Sequence, residues 1–206
     1  LWKFSNEFFK NKIYSLLSIL ILESIIFFNY TTPEFNVYVC QLPFRVLTVY
    51  YCWKSINENK SLNWILFGLF ASAGFLTHYS FIFLLLAIVM YFIFLLVNKE
   101  KFKLIFLLPF LTFIIITSPH LLWLFDNNFT TISYALNRTG IQDKNFIDHV
   151  LNPFWLLFKQ VGILIPFFIM FSLIFVKNKK KINKKFKDKK FLFLFFINIL
   201  SILFIF

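Results

Sequence analysis

The sequence predicts an all-α fold, a polytopic bundle of membrane-spanning helices. Three observations carry that prediction. Hydrophobic residues make up 60% of the 206 positions and charged residues 15%, with 34 Phe. Mean hydropathy is +0.77. A soluble domain is nearer half apolar and a quarter charged, so this composition cannot build a water-facing surface. Second, the apolar residues fall into long runs of membrane-spanning size, and no stretch alternates with period two as a membrane β-barrel requires. Third, the connections between runs sort by charge. A disordered chain is excluded as well, because it needs low hydrophobicity.

Seven runs approach the length of a span: 13–30, 35–53, 63–78, 80–97, 102–118, 153–176 and 191–206. Several are short, which predicts tilt or extension into the interface. The first run follows Lys3, Lys10 and Lys12; the 54–62 connection carries Lys54 and Lys60; the 98–103 connection carries Lys99, Lys101 and Lys103. The 177–190 connection holds nine Lys against Asp188 and supplies most of the net charge of +12. With seven spans these four regions share one side, and the positive-inside rule makes it cytoplasmic. Thr31–Glu34, Thr77–Ser80 and a long loop over 118–152 then face outward. The basic segment reads as a topology signal resting on anionic lipid headgroups, not as a nucleic-acid patch.

The long outward loop exceeds an ordinary connector and is expected to carry function or a short surface helix. Asn127-Asn128 and Arg138-Thr139-Gly140 read as turns. Asn128-Phe129-Thr130 and Asn137-Arg138-Thr139 fit a glycosylation pattern that is accidental in a bacterial chain. The low-GC bacterial source is itself inferred from the excess of Lys over Arg and the wealth of Asn, Ile and Phe. The chain starts at Leu1 and stops inside an apolar run, which predicts a fragment of a longer protein. Cys40 and Cys52 lie twelve residues apart in one predicted helix. That is about 18 Å, too far for a bridge, so they are read as small apolar packers.

Two ionisable residues sit inside spans. Glu23 lies about 10 Å and Arg45 about 16 Å below the turn at Thr31–Glu34. Charges at such depth are costly, so they are expected to pair with each other, or Arg45 to snorkel or bind an anion. Thr32 and Pro33 suit a helix start, and Glu34 would favour the positive end of the helix dipole or sit as an acid at the mouth of an outward cavity. His78, in Thr77-His78-Tyr79-Ser80, can hydrogen-bond a phosphate or act as acid or base. The Pro119-His120 to Asp126 stretch opens the long loop, with Trp123 an interfacial aromatic and Asp126 a cap or a sugar contact. No Gly-rich phosphate loop and no metal-ligand spacing occurs, so neither metal nor cofactor is expected.

Taken together these motifs resemble a family. Pro33-Glu34 stands at a helix start. Trp64 leads through Gly68 and Gly74 to Leu76-Thr77-His78-Tyr79. Ser118-Pro119-His120-Leu121-Leu122-Trp123 follows, then Gln160-Val161-Gly162 before Pro166. The order, over residues 20–176, resembles glycosyltransferase family 39, the bacterial membrane transferases related to protein mannosyltransferases and the aminoarabinose transferase. The resemblance implies a GT-C fold and an inverting transfer from a polyprenyl-phosphate sugar to a lipid, glycan or protein acceptor. The active face would lie outside the inner (plasma) membrane. It implies a principal catalytic acid in an outer loop upstream of Leu1 and makes Glu34 a second acid at the site. His78 stands where many members have Lys in Thr-Lys-Tyr, a phosphate partner; neutral His donates one hydrogen bond and carries no charge. Tyr79 and Trp123 would stack on sugar or prenyl chain. Arg138, Lys144 and Lys159 are the outward cations that could meet the leaving phosphate. The competing reading is a transporter or flippase for a lipid-linked or small solute, but no repeated halves and only four Gly are present.

Overall fold

The computed structural model describes residues 1–23, 25, 34–98, 103–138, 151–152, 154–165, 168 and 188–204. Among them every regular element is helical. The chain divides into two units, one of Leu1–Glu34 with Phe129–Lys184, the other of Phe35–Asn128 with Lys185–Phe206.

In the first unit α1 (Trp2–Phe8) packs on α2 (Lys12–Glu23), joined by a hydrogen bond between the Ser5 and Ser18 hydroxyls at 2.8 Å. The remainder of the 13–30 run, apart from Ile25, lies outside the described residues, as do Thr31, Thr32 and Pro33. Helix α7 (Thr130–Arg138) is the short helix expected within 118–152. Helix α8 (Phe154–Ile165) falls inside the 153–176 run. Lys144, the Thr139-Gly140 turn and Pro166 lie outside the described residues.

The second unit is built on an antiparallel pair, α3 (Val37–Glu58) and α4 (Ser61–Thr77). Asn36 caps α3, its Oδ1 accepting from the backbone N–H groups of Tyr38 at 3.0 Å and Val39 at 3.1 Å. The helix start expected at Thr32-Pro33-Glu34 therefore falls later. An Asn side chain satisfies two of the four N–H groups that the first turn leaves without partners, and Glu34 stands two residues before that cap. The helix-dipole account of Glu34 is lost with it.

At its other end α3 continues five residues past the apolar run, through Lys54 to Glu58. Asn59 then turns the chain in the left-handed region, at φ 52°. Glu58 meets Lys60 at 3.1 Å and Lys54 at 3.5 Å, and accepts from Asn63 Nδ2 at 3.2 Å. The Lys60 hydrogen bond is the largest cause holding its carboxyl below the usual carboxylate range.

A 3₁₀ turn, Tyr79–Phe81, leads into α5 (Ile82–Val97). A second, Leu104–Leu107, leads into α6 (Leu108–Asp126). Helix α6 continues through Pro119, past position 118 where the apolar run ends and the loop is expected to begin. Proline removes the N–H that would bond the carbonyl four residues back, at Ile115. Ser118 Oγ donates to that carbonyl instead, at 2.9 Å. A neighbouring hydroxyl that satisfies the freed carbonyl is how helices in membranes tolerate proline. Residues 118–126, expected in a loop, are thus two and a half further turns of helix. Asn127 and Asn128 then form the expected turn, with Asn128 and Phe129 both at positive φ (51° and 54°).

Helix α9 (Lys189–Phe195), a π-helical turn (Phe196–Leu200) and α10 (Ser201–Leu203) complete the unit. Asp188 caps α9, accepting from the Lys190 N–H at 3.1 Å. Phe193 is fully buried between Trp53 and Tyr91, at ring separations of 4.9 Å and 5.2 Å.

The exterior is more apolar than that of a soluble protein, and several polar side chains join the apolar core. Gln41, Thr48, Ser55, Ser72 and Thr117 are buried, while Val89, Ile93, Ile115 and Leu122 are exposed. Such an exterior suits hydrocarbon, and the buried hydroxyls of Ser55, Ser72 and Thr117 are satisfied by carbonyls of their own helices. Tyr79–Val97 and Leu104–Asp126 are long and apolar enough to cross a membrane; Ser61–Thr77 and Phe154–Ile165 are apolar but shorter. Helix α3 has the length, with 22 residues, but Gln41, Arg45 and its Lys54–Glu58 end lower its hydropathy.

Candidate functional site

The site is set by two glycines of α4. A Cβ on Gly68 would lie 2.5 Å from the carbonyl oxygen of Pro109 and 2.8 Å from Thr112 Cβ, so α6 can approach only because that atom is missing. Close approach through small residues is the usual basis of helix packing in lipid. A Cβ on Gly74 would overlap the ring of Phe81 at 2.3 Å. Phe81, fully buried, folds back against α4 and closes the Thr77–Ser80 turn tightly. The first contact brings α6 alongside, and the second brings Tyr79 to face it.

The consequence is a pair that is 41 residues apart in sequence: Tyr79 Oη and His120 Nε2 share a hydrogen bond of 2.8 Å. His120 in turn stacks on Trp123, with ring centroids 5.9 Å apart and planes 14° from parallel. Three residues along a helix place two rings on one face, and the continuation of α6 past Pro119 supplies that spacing. Phe75 packs on both Tyr79 and Phe113, closing the inner side. Trp123 remains 45% exposed and offers an open aromatic face.

His78 occupies the single residue between α4 and the 3₁₀ turn. Its Nδ1 accepts from the Ser80 N–H at 3.1 Å and lies 2.8 Å from Ser80 Oγ. A ring nitrogen that accepts from a backbone N–H carries no proton, so the neutral ring has its proton on Nε2 and is a donor there. The ring also rests against Tyr38 at 5.0 Å. Its carbonyl accepts from Gln41 Nε2 at 3.1 Å, and Gln41 Oε1 accepts from Arg45 Nε at 3.1 Å. The charge in the second span is therefore tied, through Gln41, to the turn that holds His78. Replacing Gln41, which is 2% exposed, takes the acceptor from the Arg45 guanidinium, while the His78 carbonyl keeps the Phe81 N–H at 3.0 Å. We expect Gln41→Leu to cost about 1–3 kcal/mol, measured as a lowered thermal midpoint in detergent. An unchanged midpoint would show that the link carries no stability.

Asp126 is the last residue of α6 and is exposed. It caps no helix start, and an acid at a helix C-terminus opposes the dipole, so the capping role expected of it is excluded. Glu34, Arg138 and Lys159 belong to the first unit. Glu34 is exposed just ahead of Phe35, Arg138 ends α7, and Lys159 is exposed within α8. Of the residues singled out from the sequence, His78, Tyr79 and Trp123 are thus brought to one end of the second unit. His120 and Gln41 are added by the structure. His120 stood in a quoted motif, but nothing in one sequence announces its partner. Among the described residues no three His, Cys, Asp or Glu side chains gather as a metal site.

The arrangement joins an aromatic face, a hydroxyl–imidazole pair and a second imidazole at the end of an apolar bundle. Those are groups suited to a sugar carried on a membrane lipid. The family model described as dolichyl-phosphate-mannose-protein mannosyltransferase matches residues 1–123. The chain belongs to that family. No curated protein and no solved structure matches it. Membership places this chain among the membrane-embedded glycosyltransferases of the GT-C type, a class that passes a sugar from a lipid-linked donor to an acceptor. The matched segment contains Glu34, His78, Tyr79 and His120 and ends on Trp123, whereas Asp126, Arg138 and Lys159 lie beyond it.

Proposed function

We propose that the protein transfers a sugar from a polyprenyl-phosphate donor to a lipid, glycan or protein acceptor at the outer face of the inner membrane, inverting the anomeric carbon. The observation that carries this reading is the Tyr79–His120–Trp123 cluster, inside the family-matched segment. In the proposed reaction a carboxylate takes the proton of the acceptor hydroxyl as that oxygen attacks the anomeric carbon. The bond to the lipid phosphate breaks, and the phosphate leaves with the electron pair. Glu34 is the acid of this chain assigned beside that step. The Nε2–H of His78 donates to the phosphate, with Arg138 and Lys159 as candidate cations for its charge. Trp123 and Tyr79 stack on sugar or prenyl chain, and Asp126 contacts a sugar hydroxyl.

Membranes carrying the full-length protein, supplied with a radiolabelled polyprenyl-phosphate sugar, test the reaction. Glu34→Ala and His78→Ala are each expected to lower transfer at least ~10²-fold; unaltered transfer in both would remove them from the site. The orientation is tested separately in a Cys40→Ala, Cys52→Ala background. A cysteine introduced at position 130 should react with an impermeant reagent outside the cell, and one at 185 should not. The opposite pattern would overturn the outward active face.

A further inference from the structure

We propose that Arg45 binds the phosphate of the lipid-linked donor, its guanidinium held beside the His78 turn by the uncharged amide of Gln41. The proposal rests on the transfer reaction above and adds to it a cation that the second unit itself supplies.

Tyr38, Gln41 and Arg45 are spaced three and four residues apart and share one stripe of α3. The turn between α4 and α5 closes on that stripe. The His78 ring rests against Tyr38 at 5.0 Å, and the His78 carbonyl accepts from Gln41 Nε2 at 3.1 Å. Arg45 reaches back along the stripe and donates through Nε to Gln41 Oε1 at 3.1 Å. A helical side chain that leans toward the N-terminus carries its head group about one turn, roughly 5 Å, beyond its own Cα. The charge therefore stands nearer the end of the unit that carries His78 than the position of residue 45 implies.

A cation inside a span is expected to meet a carboxylate, because burying it unpaired is costly. Among the described residues the polar partner of Arg45 is instead an uncharged amide, which accepts from Nε. Glu23 and Glu34 belong to the first unit, and Glu58 is engaged with Lys54, Lys60 and Asn63. The Nη groups carry the remaining donors, and their planar fork fits two phosphate oxygens side by side. Arg45 is half-buried, not enclosed. Its surroundings set the kind of phosphate. Val37 and Tyr38 at the start of α3 and Leu76 near the end of α4 are exposed apolar surface. An anion that reaches the charge through such an exterior is carried on a hydrocarbon chain. A neutral imidazole at His78 brings that phosphate no charge, and the guanidinium supplies it. Arg45 also lies within the family-matched segment, whereas Arg138 and Lys159 do not.

Native mass spectrometry of the full-length protein in detergent reads binding apart from transfer. The probes are undecaprenyl phosphate, uncharged undecaprenol and inorganic phosphate. We expect wild type to retain the prenyl phosphate roughly ten- to a hundred-fold over the alcohol, and Arg45→Gln to retain the two equally. A glutamine there still offers Gln41 Oε1 a donor and removes a charge that has an uncharged partner, so the variant should melt at or above wild type. A purely structural role predicts a lowered midpoint with the preference intact. Arg45→Lys keeps the charge without the fork and should fall between the two. Should Arg45→Gln fail to fold, a lowered preference in Arg45→Lys supports the proposal and an unaltered one overturns it. Retention that survives excess inorganic phosphate supports a lipid-borne anion; complete displacement overturns it. Equal retention of phosphate and alcohol by wild type, or an undiminished preference in Arg45→Gln, overturns the proposal. Arg45-dependent binding with no transfer from a radiolabelled donor would instead sink the reaction and leave this site standing.

Discussion

Gly68→Val should unfold the packing of α4 on α6 and abolish transfer with it. The added Cβ meets the Pro109 carbonyl oxygen at 2.5 Å, Thr112 Cβ at 2.8 Å and Pro109 Cα at 2.9 Å. Two of those three atoms are backbone, so no rotamer change relieves the overlap and the helices must separate. Valine adds two methyl groups to that clash. Overpacking of this kind costs about 1–3 kcal/mol where the neighbours can shift, and a rigid backbone neighbour places this site at the upper end. A loss near 3 kcal/mol lowers the thermal midpoint of a chain this size by roughly 6–12 °C. Activity should fall further than stability, because Tyr79 reaches His120 only while α6 lies against α4. Gly162 is the control. Nothing lies within 4 Å of a Cβ built there, and it sits within a helix. Gly162→Ala should therefore raise stability by about 0.5–1 kcal/mol. If Gly68→Val melts with the wild type, the close approach of α4 and α6 is not what holds this end of the unit.

The second large effect is expected at the Tyr79–His120 pair. Tyr79→Phe removes only the hydroxyl, and His120→Phe keeps an aromatic ring against Trp123 while removing both ring nitrogens. If the 2.8 Å hydrogen bond orients a proton-carrying group toward the sugar or its phosphate, each variant should lower transfer about 10²-fold. The double variant should be little worse than either single one, since groups that act as a unit lose their function together. Near-normal transfer by His120→Phe, with a strong loss in His120→Ala, would show instead that the imidazole serves only as a stacking surface between Tyr79 and Trp123. Trp123→Ala should then share that loss. Normal transfer in all of these variants would place sugar transfer away from this cluster.

The two expectations rest on features of different legibility. Gly68, Gly74 and the Thr77–Tyr79 motif can be picked from the sequence, but their reason cannot. A glycine in an apolar helix reads the same whether a neighbouring backbone touches it, as at Gly68, or nothing does, as at Gly162. Arg45 stood out as a charge within a span and pointed to Glu23 in the adjacent hairpin. The structure gives it Gln41, four residues back on the same helix, and through Gln41 the carbonyl of His78. Glutamine at that spacing is within ordinary helical reach, but in a sequence a neutral amide is a less conspicuous partner than a carboxylate. Pro119 misled in the other direction. Its local rule ends a helix, yet the hydroxyl one residue before it takes over the missing donation to Ile115.

The amino-acid sequence alone determined that this is a helical membrane protein and which family it resembles. Those properties are written in composition and in runs of apolar residues, which answer to the surrounding solvent position by position. Tertiary structure alone decided that Tyr79 meets His120 and that the 118–126 stretch is helix bearing a stacked His–Trp pair. The first depends on how closely α4 and α6 approach, a distance set by the missing Cβ of Gly68, and the second on one hydroxyl replacing a lost N–H.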